Sequence, residues 1–178
     1  MTRKRILFVC LGNVFRSALA ERCCKQALAR LGRADEFEVI SRGIKGFRNI
    51  PPPPYSHPSA YPQWHFALPH LKNLEVNFDD HRATPVHDED IQYARAIVAM
   101  DTMVLKGYEY SLYQRYPDDR DRMHVFGELD GRGDVDDLQY ATNDLEGRLI
   151  VERIHDTTSR CVDTLISWAQ REPVFAPL

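Results

Sequence analysis

The stretch Lys4 to Glu21, KRILFVCLGNVFRSALAE, decides how the rest of the chain is read. Ile6 to Val9 is an uninterrupted apolar run, the pattern of a strand covered on both faces of a sheet, and Cys10 closes it. Gly12 permits a tight turn, and beyond Ser17 the residues Ala20, Cys23, Cys24, Ala27, Leu28 and Leu31 recur at helical spacing. The stretch therefore reads strand, loop, helix, with a cysteine at the first junction and an arginine at the second. A secretory signal peptide is the competing reading, given Arg3-Lys4-Arg5 at its start and Ala18-Leu19-Ala20 at its end. Gly12-Asn13 splits the apolar core and Arg16 charges it, which leaves a run too short for export.

Outward from this unit, Phe37 to Ser41, Ala96 to Met100 and His124 to Phe126 read as further strands, with a short helix around Tyr61 to Leu74. Asn143 three residues before Glu146 is a capping box. It opens one long closing helix whose stripe carries Leu149, Ile150, Ile154, Cys161, Val162, Leu165 and Trp168, ending before Pro173. Strands alternating with helices imply a three-layer α/β fold, a parallel sheet with helices on both faces. Ligands of such sheets sit beyond the carboxyl ends of the strands, which is where Cys10 lies. We expect one domain over residues 1–178, with Pro51 to Pro54, Pro58 and Pro62 in a rigid, insertion-like connector around residues 48–62.

The chain of 178 residues carries a formal charge of −3, and its Lys and Arg are scattered, so no footprint for nucleic acid or an anionic membrane is present. The four cysteines, Cys10, Cys23, Cys24 and Cys161, have neither zinc-ligand spacing nor the density of a disulfide scaffold. They fit a reducing compartment, and a cytoplasmic location is expected. Cys23 and Cys24 fall on the buried helix stripe and read as packing residues.

The loop between strand and helix is where chemistry concentrates. Backbone N–H groups of Leu11, Gly12, Asn13, Val14 and Phe15, together with the helix N-terminus, can converge on one point beside the Cys10 sulfur. Such donors and a guanidinium favour thiolate over thiol and also cradle a phosphate or other oxyanion. Arg16 can grip two equatorial oxygens with its planar fork, and Ser17 can donate its hydroxyl to the sulfur. The reaction class is phosphoryl transfer to sulfur, with Cys10 attacking a phosphate monoester in line and a phosphocysteine hydrolysing afterwards.

With these residues in place, VCLGNVFRSALAE resembles the signature of the low-molecular-weight protein tyrosine phosphatase family, V-C-x5-R-S with an internal Gly-Asn. ISRG (Ile40 to Gly43), HRA (His81 to Ala83) and AIVAMD (Ala96 to Asp101) are similar to further family segments in the same order. The resemblance implies a flavodoxin-like, four-stranded parallel sheet and hydrolysis, without a metal or organic cofactor, of protein phosphotyrosine or a small aryl phosphate. It implies that Cys10 is the nucleophile, Arg16 the phosphate clamp, and Asn13, Ser41 and His81 the network that holds the loop. Phe47 falls where the family has an aromatic wall of the substrate slot.

The proton donor is where the chain departs. The family supplies an aspartate in an Asp-Pro-Tyr context, whereas the corresponding segment here is DVDDLQY. Asp137 aligns with the acid and Tyr140 with the second tyrosine, a second wall, while Asp136 and Asp134 stand close enough to compete with Asp137. Phe15 replaces a second loop cysteine found in many members, and Val14 lacks the hydroxyl that accompanies phosphoarginine specificity in some. Two other functions stay open on these residues: a phosphopeptide-binding module with weakened turnover, and arsenate reduction on the same fold.

Overall fold

The computed structural model describes residues 3–171. Its sheet has four parallel strands, β1 (Lys4–Cys10), β2 (Phe37–Gly43), β3 (Ala94–Ala99) and β4 (Met123–Val125), in the order β2-β1-β3-β4. Alternation along the strands feeds two cores. Ile6, Phe8 and Cys10 of β1, with Ala96 and Val98 of β3, enter one cluster, and Leu7, Val9, Ile97 and Ala99 enter the other. Because both faces are covered, these strands read as continuous apolar runs, as expected.

The first face is covered by α1 (Arg16–Arg30), and α2 (Trp64–Asn73) sends Ala67 and Leu71 into the same core. The second face carries α3 (Asp88–Tyr93), a π-helical turn at Met103–Gly107 and the short α4 (Leu112–Arg115). The one-turn α5 (Gly127–Asp130) leads to α6 (Asp144–Arg160) and α7 (Val162–Gln170), which return to the first face. The chain crosses from β1 to β2 on one side and reaches β3 on the other, so the carboxyl end of β1 is the topological switch point. Among the described residues no helix is long and apolar enough to cross a membrane.

Three local expectations change. The closing helix is two helices, broken at Cys161 (φ −104°, ψ 17°), where the thiol donates to the Leu129 carbonyl at 3.2 Å. The hydroxyl-rich run Thr157-Thr158-Ser159 before the break is weak helix-forming sequence. Leu149 leaves the buried stripe and is 52% exposed, because Ile150, Val151 and Ile154 already face the core. Phe126 is not in β4; its N–H still reaches the Ala99 carbonyl, but its backbone is helical as the cap of α5.

Candidate active site

The loop after β1 closes over its own cysteine. Cys10 is buried, and its Sγ accepts hydrogen bonds from the Asn13 N–H at 3.1 Å and the Ser17 hydroxyl at 3.1 Å. The single Ser17 proton is shared with the Arg42 carbonyl at 3.3 Å, and a thiolate is the stronger acceptor of the two. α1 begins directly after the loop with no side-chain cap and no acidic residue in its first turn. Its first N–H groups and the positive end of its dipole are thus left to an anion. Among the described residues the N–H groups of Gly12, Val14 and Phe15 likewise meet no protein acceptor. The side chains of Val14 and Phe15 turn inward, Phe15 stacking on Phe78 with centroids 5.8 Å apart, so these two can offer an anion only their backbone. Leu11 packs against the second core, and its carbonyl accepts from Lys45 N–H.

Asn13 is the hub of the loop. It sits at φ 56°, a left-handed conformation that Asn tolerates better than most side chains. Its Nδ2 donates to Ser17 Oγ and Ser41 Oγ, both at 2.9 Å, and its Oδ1 accepts from the Thr84 N–H at 2.9 Å. Its carbonyl accepts from His81 Nε2 at 2.7 Å, and Ser41 in turn donates to Glu21 at 2.6 Å. Burial lowers the His81 pKa, with the Asn13 carbonyl opposing, so the ring is a neutral Nε2–H donor. Gly43 lies directly below, where an added Cβ would stand 2.6 Å from the Gly12 carbonyl carbon. Asn13→Ala is expected to cost on the order of 3 kcal/mol by stranding buried partners in an unfavourable conformation. Denaturant unfolding of Asn13→Gly checks the cause: glycine relieves the backbone but restores no bond, so it should remain well below wild type. Full recovery by glycine would assign the effect to strain alone.

Arg16 is held between two carboxylates. One terminal nitrogen donates to Asp101 at 2.5 Å and to the Val135 carbonyl at 3.0 Å, and the other pairs with Asp137 at 2.9 Å. Burial works against this charge, yet Asp137, the Cys10 sulfur and Asp101 together hold the guanidinium more firmly protonated than a free arginine. Its Nε is buried without a partner, an orphan donor of the kind a bound oxyanion would satisfy.

The segment bearing Asp137 is anchored by Val135 and Leu138, both buried, and by Arg153, which donates to the Gly133 and Asp134 carbonyls at 2.6 Å. Three carboxylates in this segment have different surroundings. Asp134 accepts from the Thr102 N–H and hydroxyl at 2.8 Å, Asp136 faces solvent, and Asp137 reaches Arg16 with one oxygen while the other caps the turn Leu138–Tyr140.

Of the two expected walls, Phe47 is half-buried and Tyr140 is exposed. Phe47 packs edge-on against His87 at 4.6 Å, with the Arg115 guanidinium 5.2 Å from its ring centre. Tyr140, three residues after Asp137, is 74% exposed. Two tyrosines that the sequence did not single out lie near the site. Tyr61 is buried in the same cluster as Cys10, edge-on to Tyr55 at 5.3 Å; burial, then Asp137 and Cys10, push its pKa up against Arg16, so it stays a donor. Tyr108 stacks on Tyr110 at 5.3 Å beside the π-turn. The proline segment is no remote connector either, since a Cβ on Gly12 would meet Pro53 Cβ at 2.8 Å. Asp101 was within reach of the sequence, because it follows the end of β3 as the loop follows β1. Tyr61 and the Thr84 N–H gave no such signal.

A buried sulfur with convergent donors, a fixed guanidinium and the two carboxylates on that guanidinium can bind a tetrahedral oxyanion, attack it and exchange a proton. Among the described residues no group of three His, Cys, Asp or Glu is placed to hold a metal ion. Residues 5–167 match the sequence profile described as low molecular weight phosphotyrosine protein phosphatase. A relative from Dictyostelium discoideum, also called a low molecular weight phosphotyrosine protein phosphatase, is 32% identical over 105 residues, 56% of this chain. The matched stretch spans 56% of that relative's own length. Among solved structures, a low molecular weight protein tyrosine phosphatase from T. tengcongensis superposes with a TM-score of 0.68 at 27% identity, covering 92% of this chain and 98% of that one. The YwlE arginine phosphatase from Geobacillus stearothermophilus gives 0.67 at 22%, covering 92% and 94%, a likeness of fold.

Proposed function

Because the chain belongs to the low molecular weight phosphotyrosine protein phosphatase family, we propose that it hydrolyses aryl phosphate monoesters, protein phosphotyrosine in particular, through a phosphocysteine at Cys10. The observation that carries this reading is the set of unused donors about the sulfur: loop N–H groups, the uncapped start of α1 and the orphan Nε of Arg16. They suit the three equatorial oxygens of a transferring phosphoryl group.

In the first step Cys10 Sγ attacks phosphorus, the S–P bond forms, and the ester P–O bond breaks as its oxygen takes a proton from Asp137. In the second step water attacks the phosphocysteine, Asp137 takes a water proton, and the P–S bond breaks to return the thiolate and release phosphate. The choice of Asp137 over Asp136 and Asp134 is supported by its contact with Arg16. Incoming phosphate oxygens compete for the N–H groups that Asp137 occupies, which releases the carboxyl toward the ester oxygen.

The leaving group supplies the test. Phenolate, with a pKa near 10, needs protonation far more than a nitrophenolate does. Asp137→Asn is expected to lower kcat on phosphotyrosine about 10²–10³-fold and on 4-nitrophenyl phosphate less than about tenfold. Equal losses on both esters, or none on phosphotyrosine, would remove Asp137 from this role. The absence of a hydroxyl at Val14 supports phosphotyrosine over phosphoarginine. Arsenate reduction is disfavoured because burial pushes the Cys23 and Cys24 thiols up to about 12, which leaves them poor resolving thiolates.

A further inference from the structure

We propose that the groove between the Asp137 segment and α6 receives the residues that flank phosphotyrosine in a peptide substrate, and that it selects an apolar side chain followed by a basic one. This rests on the phosphatase reading above and names the class of substrate for the same site.

The groove encloses about 330 Å³ and shares Asp137 with the Arg16 cradle, so a chain leaving the phosphate loop across Asp137 runs into it. Its floor is apolar, formed by Val135, Ala141 and Ile150, and its rim carries Tyr140 and Leu149. These rim residues are 74% and 52% exposed, two large apolar groups held in water beside the acid with no packing role. Leu149 is the residue that left the predicted stripe, and a docked side chain gives its exposure a purpose.

The charge around the groove is one-sided. Asp136 is exposed and makes no ion pair among the described residues, and Glu146, held by Thr142 and Asn143, stays ionised. The one lining cation, Arg153, is spent on the Gly133 and Asp134 carbonyls and on Asp130. An apolar floor with an open carboxylate at its edge is complementary to Leu-Lys or Val-Arg beside the phosphotyrosine, and repels an acidic neighbour.

The test uses the full chain and peptides of one length, with phosphotyrosine flanked on both sides by Leu and Lys, by Leu and Glu, or by Ser and Lys. Free 4-nitrophenyl phosphate serves as the reference substrate. Wild type is expected to favour the Leu-Lys peptide over the Leu-Glu peptide about tenfold in kcat/KM, and by less as salt rises. Asp136→Lys should invert the Lys-against-Glu ratio, and Leu149→Asn should erase the Leu-against-Ser ratio. Equal kcat/KM for the three peptides with the reference ester still cleaved, or ratios unmoved by both substitutions, would overturn the groove alone. No cleavage of any ester by wild type would overturn the phosphatase reading and the groove with it.

Discussion

Cys10→Ser is expected to slow aryl phosphate hydrolysis by at least about 10⁴-fold with little change in thermal stability. The serine oxygen can accept the same two hydrogen bonds, from the Asn13 N–H and the Ser17 hydroxyl, so the loop keeps its frame. What disappears is the sulfur nucleophile. A serine hydroxyl next to no general base is a far weaker nucleophile toward phosphorus than the cysteine sulfur. Steady-state kinetics together with a melting curve separates the two effects. A variant retaining more than about a hundredth of wild-type turnover, or one that loses its fold, would contradict this account of the loop.

Arg16→Lys keeps the charge and loses the fork. The guanidinium touches Asp101, Asp137 and the Val135 carbonyl through two nitrogens while its Nε remains unpartnered. One ammonium cannot hold the two carboxylates apart and also meet a phosphoryl group. A loss of about 10³-fold in kcat/KM is expected, within the range for charge-stabilising groups at phosphoryl transfer. Inhibition by inorganic phosphate should weaken in parallel, because ground-state and transition-state oxygens use the same donors. Near-normal kcat/KM in the lysine variant would mean that point charge is sufficient and that the bidentate geometry plays no part.

The sheet was legible because β1 and β3 are buried on both faces, and such strands leave unbroken apolar runs such as ILFV and AIVA. The phosphate loop was legible because its function depends on residue types that are rare together, a strand-ending cysteine and an arginine opening a helix. The break at Cys161 was not, since it depends on a thiol meeting the Leu129 carbonyl of α5, a contact between segments far apart in sequence. Asp134, Asp136 and Asp137 look alike in the sequence; their surroundings differ because Val135 and Leu138 bury themselves and so set which carboxylate turns toward Arg16. The proline segment looked like a connector because prolines report stiffness and not what they lie against. In the folded chain Pro53 rests on Gly12 and Tyr61 joins the Cys10 cluster.

The central claim is that phosphorus passes through the Cys10 sulfur. During turnover of an aryl ester carrying radiolabelled phosphate, rapid quenching in denaturant followed by trypsin digestion isolates the peptide Ile6 to Arg16, whose only cysteine is Cys10. The account predicts label on that peptide, bonded to sulfur and absent from Cys10→Ser protein. Continued turnover with no label ever reaching that peptide would contradict it.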